Sequence, residues 1–337
     1  MLPIAVDVMG GDKAPAEIVA GCVRAAEELG IGILLVGRPE ALEGLDTGGL
    51  EVVPASQVVD MAEDPGKAVR TKKDSSLVRV AEAVRDGRAS AMVSAGNTGA
   101  TMASALLRIG RIKGVLRPAI VTPIPVPGSA TPTALLDAGA NVECSPEMLL
   151  QFAHMGAAYF TARYGVAKPR VGLLSIGEEP GKGGPLRKEA YALLAAEPGL
   201  SFLGNVEGRD VMSDEVDVCV TDGFTGNVTL KTLEGGMRTL SRAITGILLG
   251  TEEARAASEP LLPAFLALAD ELDPESHGGA MLLGTDGLCL ISHGSSSARA
   301  VVNALRTARD MASADLVGAI RQAIRPPPTG LPEGSPP

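Results

Sequence analysis

The sequence predicts an α/β fold, three layers deep, with a doubly wound and mostly parallel sheet covered by helices on both faces. Three observations carry that expectation. Short apolar runs alternate with helix-period segments almost from end to end, which is how strands joined by crossover helices read in sequence. Four of the strand-to-helix junctions are small-residue loops rich in Gly, as an open α/β sheet places at the carboxyl ends of its strands. Hydrophobic residues make up 45% of the 337 while aromatics make up 2% and Trp is absent, so the core must be aliphatic.

Taken in order, strands are expected at Ile4–Val8, Ile33–Val36, Glu51–Pro54, Ser90–Ser94, Ala119–Thr122, Thr133–Asp137, Arg170–Ile176, Ser201–Val206, Val216–Thr221 and Leu288–Ser292. Helices are expected at Ala16–Leu29, Ser76–Arg85, Thr98–Ile109, Pro146–Tyr164 and Ala298–Ile324. Ser145 before Pro146 supplies an N-cap with Pro at the first helical position, and Gly30 closes the helix that ends at Leu29. Gly235 to Leu272 departs from the alternation. Two helix-like halves flank the polar joint T-E-E-A-R-A-A-S-E (251–259), which predicts a helical hairpin standing off the sheet. Residues 1–325 are thus expected to form one domain with a central cleft, hairpin 235–272 included. The stretch P-P-P-T-G-L-P-E-G-S-P-P (326–337) is too rich in Pro and Gly to fold.

Composition excludes several function classes. A net charge of −10 argues against a general nucleic-acid binder, and the scarcity of aromatics removes base-stacking platforms. Cys22, Cys144, Cys219 and Cys289 are widely spaced with no C-x-x-C pair, so neither a zinc site nor a disulfide framework is expected. No apolar run reaches the length of a membrane span, and M-L-P-I-A-V-D reads as a strand rather than a leader, which predicts a cytoplasmic chain.

The chemistry is expected in the junctions. They are V-D-V-M-G-G-D (6–12), V-S-A-G-N-T-G (93–99), L-S-I-G-E-E-P-G-K-G (174–183) and V-T-D-G-F-T-G-N-V (220–228). Each aims free N–H groups and a helix dipole at one spot, which suits an anion such as phosphate. In the second, Gly96 and Gly99 admit close approach, while Asn97 and Thr98 can cap the helix or bind an oxyanion. The plain alternative is a capped turn, and four junctions together favour a site. Asp12, Gly177, Asp222, Gly223 and Asn227 belong to the other three, and L-L-D-A-G-A-N (135–141) repeats the theme with Asp137 and Asn141. Lys182 is either a phosphate ligand or a solvated loop lysine. His293, in S-H-G-S-S-S, either caps a turn or contacts substrate. No G-x-G-x-x-G and no Walker A loop occurs, so NAD and ATP lose their simplest support and no cofactor is expected. The run Lys67-Ala-Val-Arg70-Thr-Lys72-Lys73 is basic within an acidic chain and suits either a solvated face or an acidic partner.

In this order the motifs resemble the bacterial phosphate acyltransferases of phospholipid synthesis, the acyl-carrier-protein:phosphate transacylase (PlsX) family. The resemblance runs from Ile4 to about Arg309 on D-V-M-G-G-D-K-A-P (7–15), S-A-G-N-T-G-A (94–100), L-L-D-A-G-A-N-V-E-C-S-P-E (135–147), Q-F-A-H-M-G (151–156), G-N-V-E-G-R-D (204–210), D-G-F-T-G-N-V-T-L-K (222–231) and G-G-A-M-L-L-G (278–284). The loop at 177–183 departs from the family's I-G-T-E-x-x-K-G in carrying Glu178 for Thr. The resemblance implies the fold of phosphotransacetylases and of isocitrate and isopropylmalate dehydrogenases, and transfer of an acyl group from acyl-carrier protein to inorganic phosphate. It also implies a homodimer with peripheral membrane association, feeding a downstream membrane acyltransferase. On this reading Lys182, Asp222 and Asn227 are the catalytic candidates, with Lys182 offsetting phosphate charge and the other two orienting the thioester. Lys67, Arg70, Lys72 and Lys73 become the carrier-protein face. Leu248, Leu249, Leu261, Leu262 and Phe265 of the hairpin become either dimer core or a lipid-touching tip. A metal- and NAD-dependent decarboxylating dehydrogenase is the rival enzyme, but the clustered Asp ligands it needs are not evident. A non-catalytic scaffold is the rival from another class, and it leaves the glycine loops idle.

Overall fold

The structure, a computed structural model, describes residues 1–273, 276 and 278–324; the Pro- and Gly-rich 326–337 lies outside them. The strands are β1 (Ile4–Asp7), β2 (Ile33–Gly37), β3 (Glu51–Pro54), β4 (Ala91–Ser94), β5 (Ala119–Ile124), β6 (Thr133–Leu136), β7 (Arg170–Leu174), β8 (Ser201–Val206), β9 (Val218–Val220), β10 (Ala280–Leu283) and β11 (Leu288–Ile291). Among the described residues they form one sheet in the order β3-β2-β1-β4-β11-β10-β5-β6-β9-β7-β8. Every residue of β1, β4, β6 and β11 is buried, as expected of strands covered on both faces.

Helices α1 (Ala16–Leu29), α11 (Ala298–Ser313) and α6 (Pro146–Tyr164) contribute to one core cluster. Their closeness is set by glycine. A Cβ on Gly21 would stand 2.6 Å from Val301 Cβ, and one on Gly156 would stand 2.6 Å from Val218 Cγ1. The second cluster includes α4 (Ser76–Arg85) and α5 (Thr98–Ser104), the latter running into a π-turn at Ala105–Ile109.

Three features differ from expectation, each for a physical reason. First, β10 was not anticipated: its four residues sit between two Gly-containing turns and are too few to show a period. It pairs antiparallel with both β11 and β5, and β5 pairs antiparallel with β6. The parallel block β3-β2-β1-β4-β11 therefore runs opposite to the parallel block β6-β9-β7-β8, and their carboxyl ends lie on opposite edges. Second, the helix expected over Ala298–Ile324 breaks at Asp315, whose φ of 48° is left-handed. Asp315 then caps α12 (Leu316–Ala323) by accepting from Gly318 N at 3.2 Å. Third, the first limb of the expected hairpin is only the distal part of α8 (Gly223–Leu249), and the polar joint is itself helical. It forms α9 (Glu252–Ser258), capped by Thr251 Oγ1 accepting from Ala254 N at 3.1 Å, before α10 (Leu262–Glu271). Ser258 Oγ ties this arm together by donating to Leu248 O at 2.9 Å. Along α8 only Gly223 and Gly226 are buried, and nothing in α10 is.

Candidate active site

A cavity of about 550 Å³, the size of a small-molecule site, lies on one face of the sheet. Its floor is β5, where the alternate residues Ile120, Thr122 and Ile124 face the same way, flanked by Ala280 and Ile291. One wall is made by the loops after β4 and β11, with Gly96, Thr98 and Ser292 to Ser296. The facing wall is α8. Asn227, Leu230, Lys231, Glu234 and Arg238 fall on one side of it at helical spacing, joined by Leu233 and Met237.

The loop after β4 is held open by buried polar bonds. Ser94 Oγ donates to the Asp7 carboxylate at 2.8 Å and accepts from Gly96 N at 3.0 Å. A Cβ on Gly10 would stand 2.7 Å from both Asp7 Oδ2 and Gly96 N, so only glycine lets the two loops meet. Burial raises the Asp7 carboxyl above its ordinary pKa, against the opposing pull of its bonds from Ser76 and Ser94. Asn97 caps α5 by accepting from Ala100 N at 3.0 Å, and its Nδ2 donates to Met61 O at 2.8 Å. Both ends of its side chain are thereby engaged. Thr98 lines the cavity with Gly99 beside it, and the first-turn N–H groups of both have by position no acceptor within the helix. Gly99 is also sterically required, since a Cβ there would meet Pro65 Cγ at 2.6 Å. His293 is exposed on the same wall, with Nδ1 3.2 Å from Ser295 Oγ. Asp12 sits exposed at the rim, its N–H donating to Gly294 O at 2.7 Å.

On the other edge the polar groups satisfy one another. Asp137 accepts from Ile120 N, Gly139 N, Ala140 N, Asn141 N and Asn141 Nδ2 at 2.8–3.0 Å. Burial pushes this carboxyl upward in pKa while these donors oppose the shift; five donors and no acceptor are the surroundings of a carboxylate. Asp222 caps α8 by accepting from Thr225 N at 2.9 Å and pairs with Arg187 Nη2. Burial alone would raise its pKa, yet the Thr225 bonds and the Arg187 charge hold it below the ordinary value. Gly223 and Gly226 are pressed onto the 137–141 turn; a Cβ on Gly226 would stand 1.9 Å from Asp137 O.

The four junctions therefore divide two and two between the edges instead of meeting at a single carboxyl edge, because the β10–β5 pair reverses the second block. Gly96, Thr98, Asn227 and His293 line one cavity, with Asn97 and Gly99 beside it and Asp12 at its rim. Asn227 is the residue that carries the second set into it, its Nδ2 donating to Ala138 O at 3.2 Å. Asp137, Asn141, Asp222 and Gly223 lie behind that residue and outside the lining. Lys182 is exposed, 3.7 Å from Glu179 and, like Gly177, on the loop after β7, away from the cavity. Of the basic run, Lys67 and Arg70 on α3 (Pro65–Thr71) and Lys73 after it are exposed, whereas Lys72 turns inward to Glu63 and to Val58 O at 2.7 Å. On the arm, Leu248, Leu249, Leu262 and Phe265 are half-buried and Leu261 is exposed.

Sequence reasoning missed Thr122, Ser295, Leu233, Met237 and Arg238. Thr122 Oγ1 is buried and has no hydrogen-bond partner. The signal for it was a lone hydroxyl in an otherwise apolar strand. The signal for the α8 residues was their helical phase with Asn227, which a reading of 222–228 as a loop concealed.

The sequence profile described as "Fatty acid synthesis protein" matches residues 2–318. The chain is 48% identical over 328 residues to a protein named Phosphate acyltransferase from Heliobacterium modesticaldum, covering 95% of this chain and 97% of that one. It is 48% identical over 328 residues to the protein of the same name from Elusimicrobium minutum, covering 95% of each. Among solved structures, a branched-chain phosphotransacylase from Enterococcus faecalis superposes with TM-score 0.60 at 16% identity, over 92% of this chain and 99% of that one. A phosphotransacetylase from Streptococcus pyogenes gives 0.57 at 17%, over 96% and 94%. At those identities the structures establish the α/β fold.

Proposed function

The chain belongs to the fatty acid synthesis protein family that includes the bacterial phosphate acyltransferases, and on that premise we propose how its cavity moves an acyl group from acyl-carrier protein to inorganic phosphate. The enzyme is an acyltransferase of fatty acid and phospholipid synthesis. One observation supports the reading most: a single cavity sets a helix start across from a wall that carries both Arg238 and the apolar Leu230, Leu233 and Met237, with an unpaired hydroxyl on the floor between them.

Hydrogenphosphate binds at the Thr98 and Gly99 N–H groups and Ser295, with Arg238 on the facing wall offsetting its charge. Lys231 contributes less, since it pairs with Glu234 at 2.9 Å. Phosphate esters lose their second proton near pKa ~6, so an inorganic dianion of similar order is available at neutral pH. One of its oxygens attacks the thioester carbonyl; the C–O bond forms, the C–S bond breaks, and the electron pair leaves on sulfur. The proton of hydrogenphosphate ends on that sulfur, whose thiol pKa of ~8.5 makes it a tolerable leaving group without a strong acid. The protein's contribution is to hold both reactants together and to donate hydrogen bonds to the tetrahedral oxyanion. Asn227 orients the thioester, Asn97 fixes the loop that supplies the donors, and Asp137, Asn141 and Asp222 hold the α8 start in place. His293 keeps Ser295 turned to the phosphate. Lys182, exposed on the loop after β7, is assigned to the approach of anionic substrate.

The decisive assay is thiol release from an acyl-carrier thioester with and without phosphate, followed by phosphorus NMR of the product. Release that ignores phosphate, or yields only free acid, sinks the mechanism. The exposed cations Lys67, Arg70 and Lys73 would receive the acidic carrier protein. Lys67→Glu with Lys73→Glu should then raise the carrier's KM severalfold at low salt and much less at high salt. Acyl-phosphate is a reactive mixed anhydride, which suits it as the acyl donor of a downstream membrane acyltransferase. No helix among the described residues is long and apolar enough to cross a membrane. The arm, with Leu240, Ile247 and Leu261 each at least 60% exposed, would pair with a second copy or rest on lipid. Sedimentation and liposome flotation of a Leu261→Asp variant separate those two.

A further inference from the structure

We infer that the acyl chain occupies the groove between α8 and β5, and that Leu233 and Met237 set the chain length the enzyme accepts. This rests on the acyl transfer proposed above. The groove has an apolar floor of Ile120 and Ile124, both buried, and an apolar side of Leu230, Leu233 and Met237 that recurs every three or four residues along α8. A linear hydrocarbon is the ligand such a lining takes up.

The groove also has a direction. It is shut at the start of α8, where the Gly226 Cβ position lies 1.9 Å from Asp137 O and the helix touches the turn after β6 backbone to backbone. Pro123 and Pro125 continue its lining beyond Thr122. Thr122 Oγ1, buried and without a hydrogen-bond partner, sits on the floor between Ile120 and Ile124. Buried hydroxyls are rarely left unpaired, and an acceptor placed there would be the thioester carbonyl. With phosphate on the opposite wall, the chain must then run along α8 past Leu230 toward Met237, a rise of roughly 10 Å on the helix.

The test uses two substitutions of opposite effect and one readout that needs no turnover. Wild type and variants are assayed with butanoyl and hexadecanoyl thioesters of acyl-carrier protein, and the ratio of kcat/KM for the long over the short chain is compared. Leu233→Trp, which fills the groove, should lower that ratio about tenfold, and Met237→Ala, which lengthens it, should raise the ratio for dodecanoyl over octanoyl. The chain contains no Trp, so Leu233→Trp also carries a single indole fluorophore. Hexadecanoic acid should shift its emission to the blue while butanoic acid should not. Equal loss for both chain lengths, or an emission unmoved by the long acid, overturns the inference. Wild-type protein that releases no thiol would instead overturn the transfer reaction, while the fluorescence titration still decides the groove.

Discussion

The two edges of the sheet look alike in sequence and differ in what their polar groups have left to give. At the β1-β4-β11 edge, Ser94 bonds Asp7 and Gly96 while Asn97 is engaged by Met61 and Ala100, and Thr98, Ser295 and His293 are left lining a cavity. At the β6-β9-β7 edge, Asp137 takes up five donors and Asp222 is held by Thr225 and Arg187, and neither carboxylate lines that cavity. A strand, a small-residue loop and a helix start thus make either a binding site or a mortise joint. The partner supply decides which. Where the chain provides its own acceptors and donors the edge locks, and where it withholds them the edge binds.

Substitutions on the two edges should therefore separate stability from substrate affinity. The largest effect is expected for Asp137→Ala, which strips the acceptor from five buried or part-buried donors and should cost at least about 3 kcal/mol in urea denaturation. A variant as stable as wild type would show that this edge is no joint. Asp222→Ala removes a helix cap and half of an ion pair, about 2–4 kcal/mol at neutral pH. Its pH dependence has a defined sign. Asp222 is depressed in the fold, so its contribution is present above the unfolded value of ~3.9 and is lost as pH falls through the folded value. The gap between wild type and variant should accordingly narrow in acid. On the open edge, Ser295→Ala should raise the KM for phosphate by about tenfold, near 1.4 kcal/mol, with no change in melting temperature. A shifted melting point would move Ser295 to the structural side of the comparison. The smallest effect is expected for Asp7→Asn. Burial raises this carboxyl in the fold, so wild-type stability declines as pH rises from ~3.9 toward the folded value. The variant should match wild type near pH ~4 and be modestly more stable at pH ~7, the opposite slope to Asp222.

Most strands were legible because each is a short apolar run ended by a turn residue. Glu51–Pro54 and Ser201–Val206 fall where periodicity puts them, and the Ser145-Pro146 start and Gly30 stop mark their helices through local bonds alone. The reversal of the second block was not legible. It rests on the four-residue β10, whose partners lie more than a hundred residues away in β5, and no local pattern encodes strand direction. That one omission made four loops look like a single site. Lys182 followed from it: a lysine in a glycine loop reads the same on either edge. Asn97 was legible as the cap of α5, but that its side chain also holds Met61 only the folded loop could disclose.

Helix α8 spans 27 residues, roughly 40 Å, with its first turn wedged against Asp137, its middle forming the cavity wall and its far end bearing the arm. Such a rod is a lever with its fulcrum at Gly226. A force on the far end would therefore be felt at the aperture between Met237 and Ile124. The Gly235–Gly236 pair just before Met237 is the weakest stretch of that rod, because glycine stiffens a helix least. Displacement of the arm and width of the groove would then be one mechanical variable.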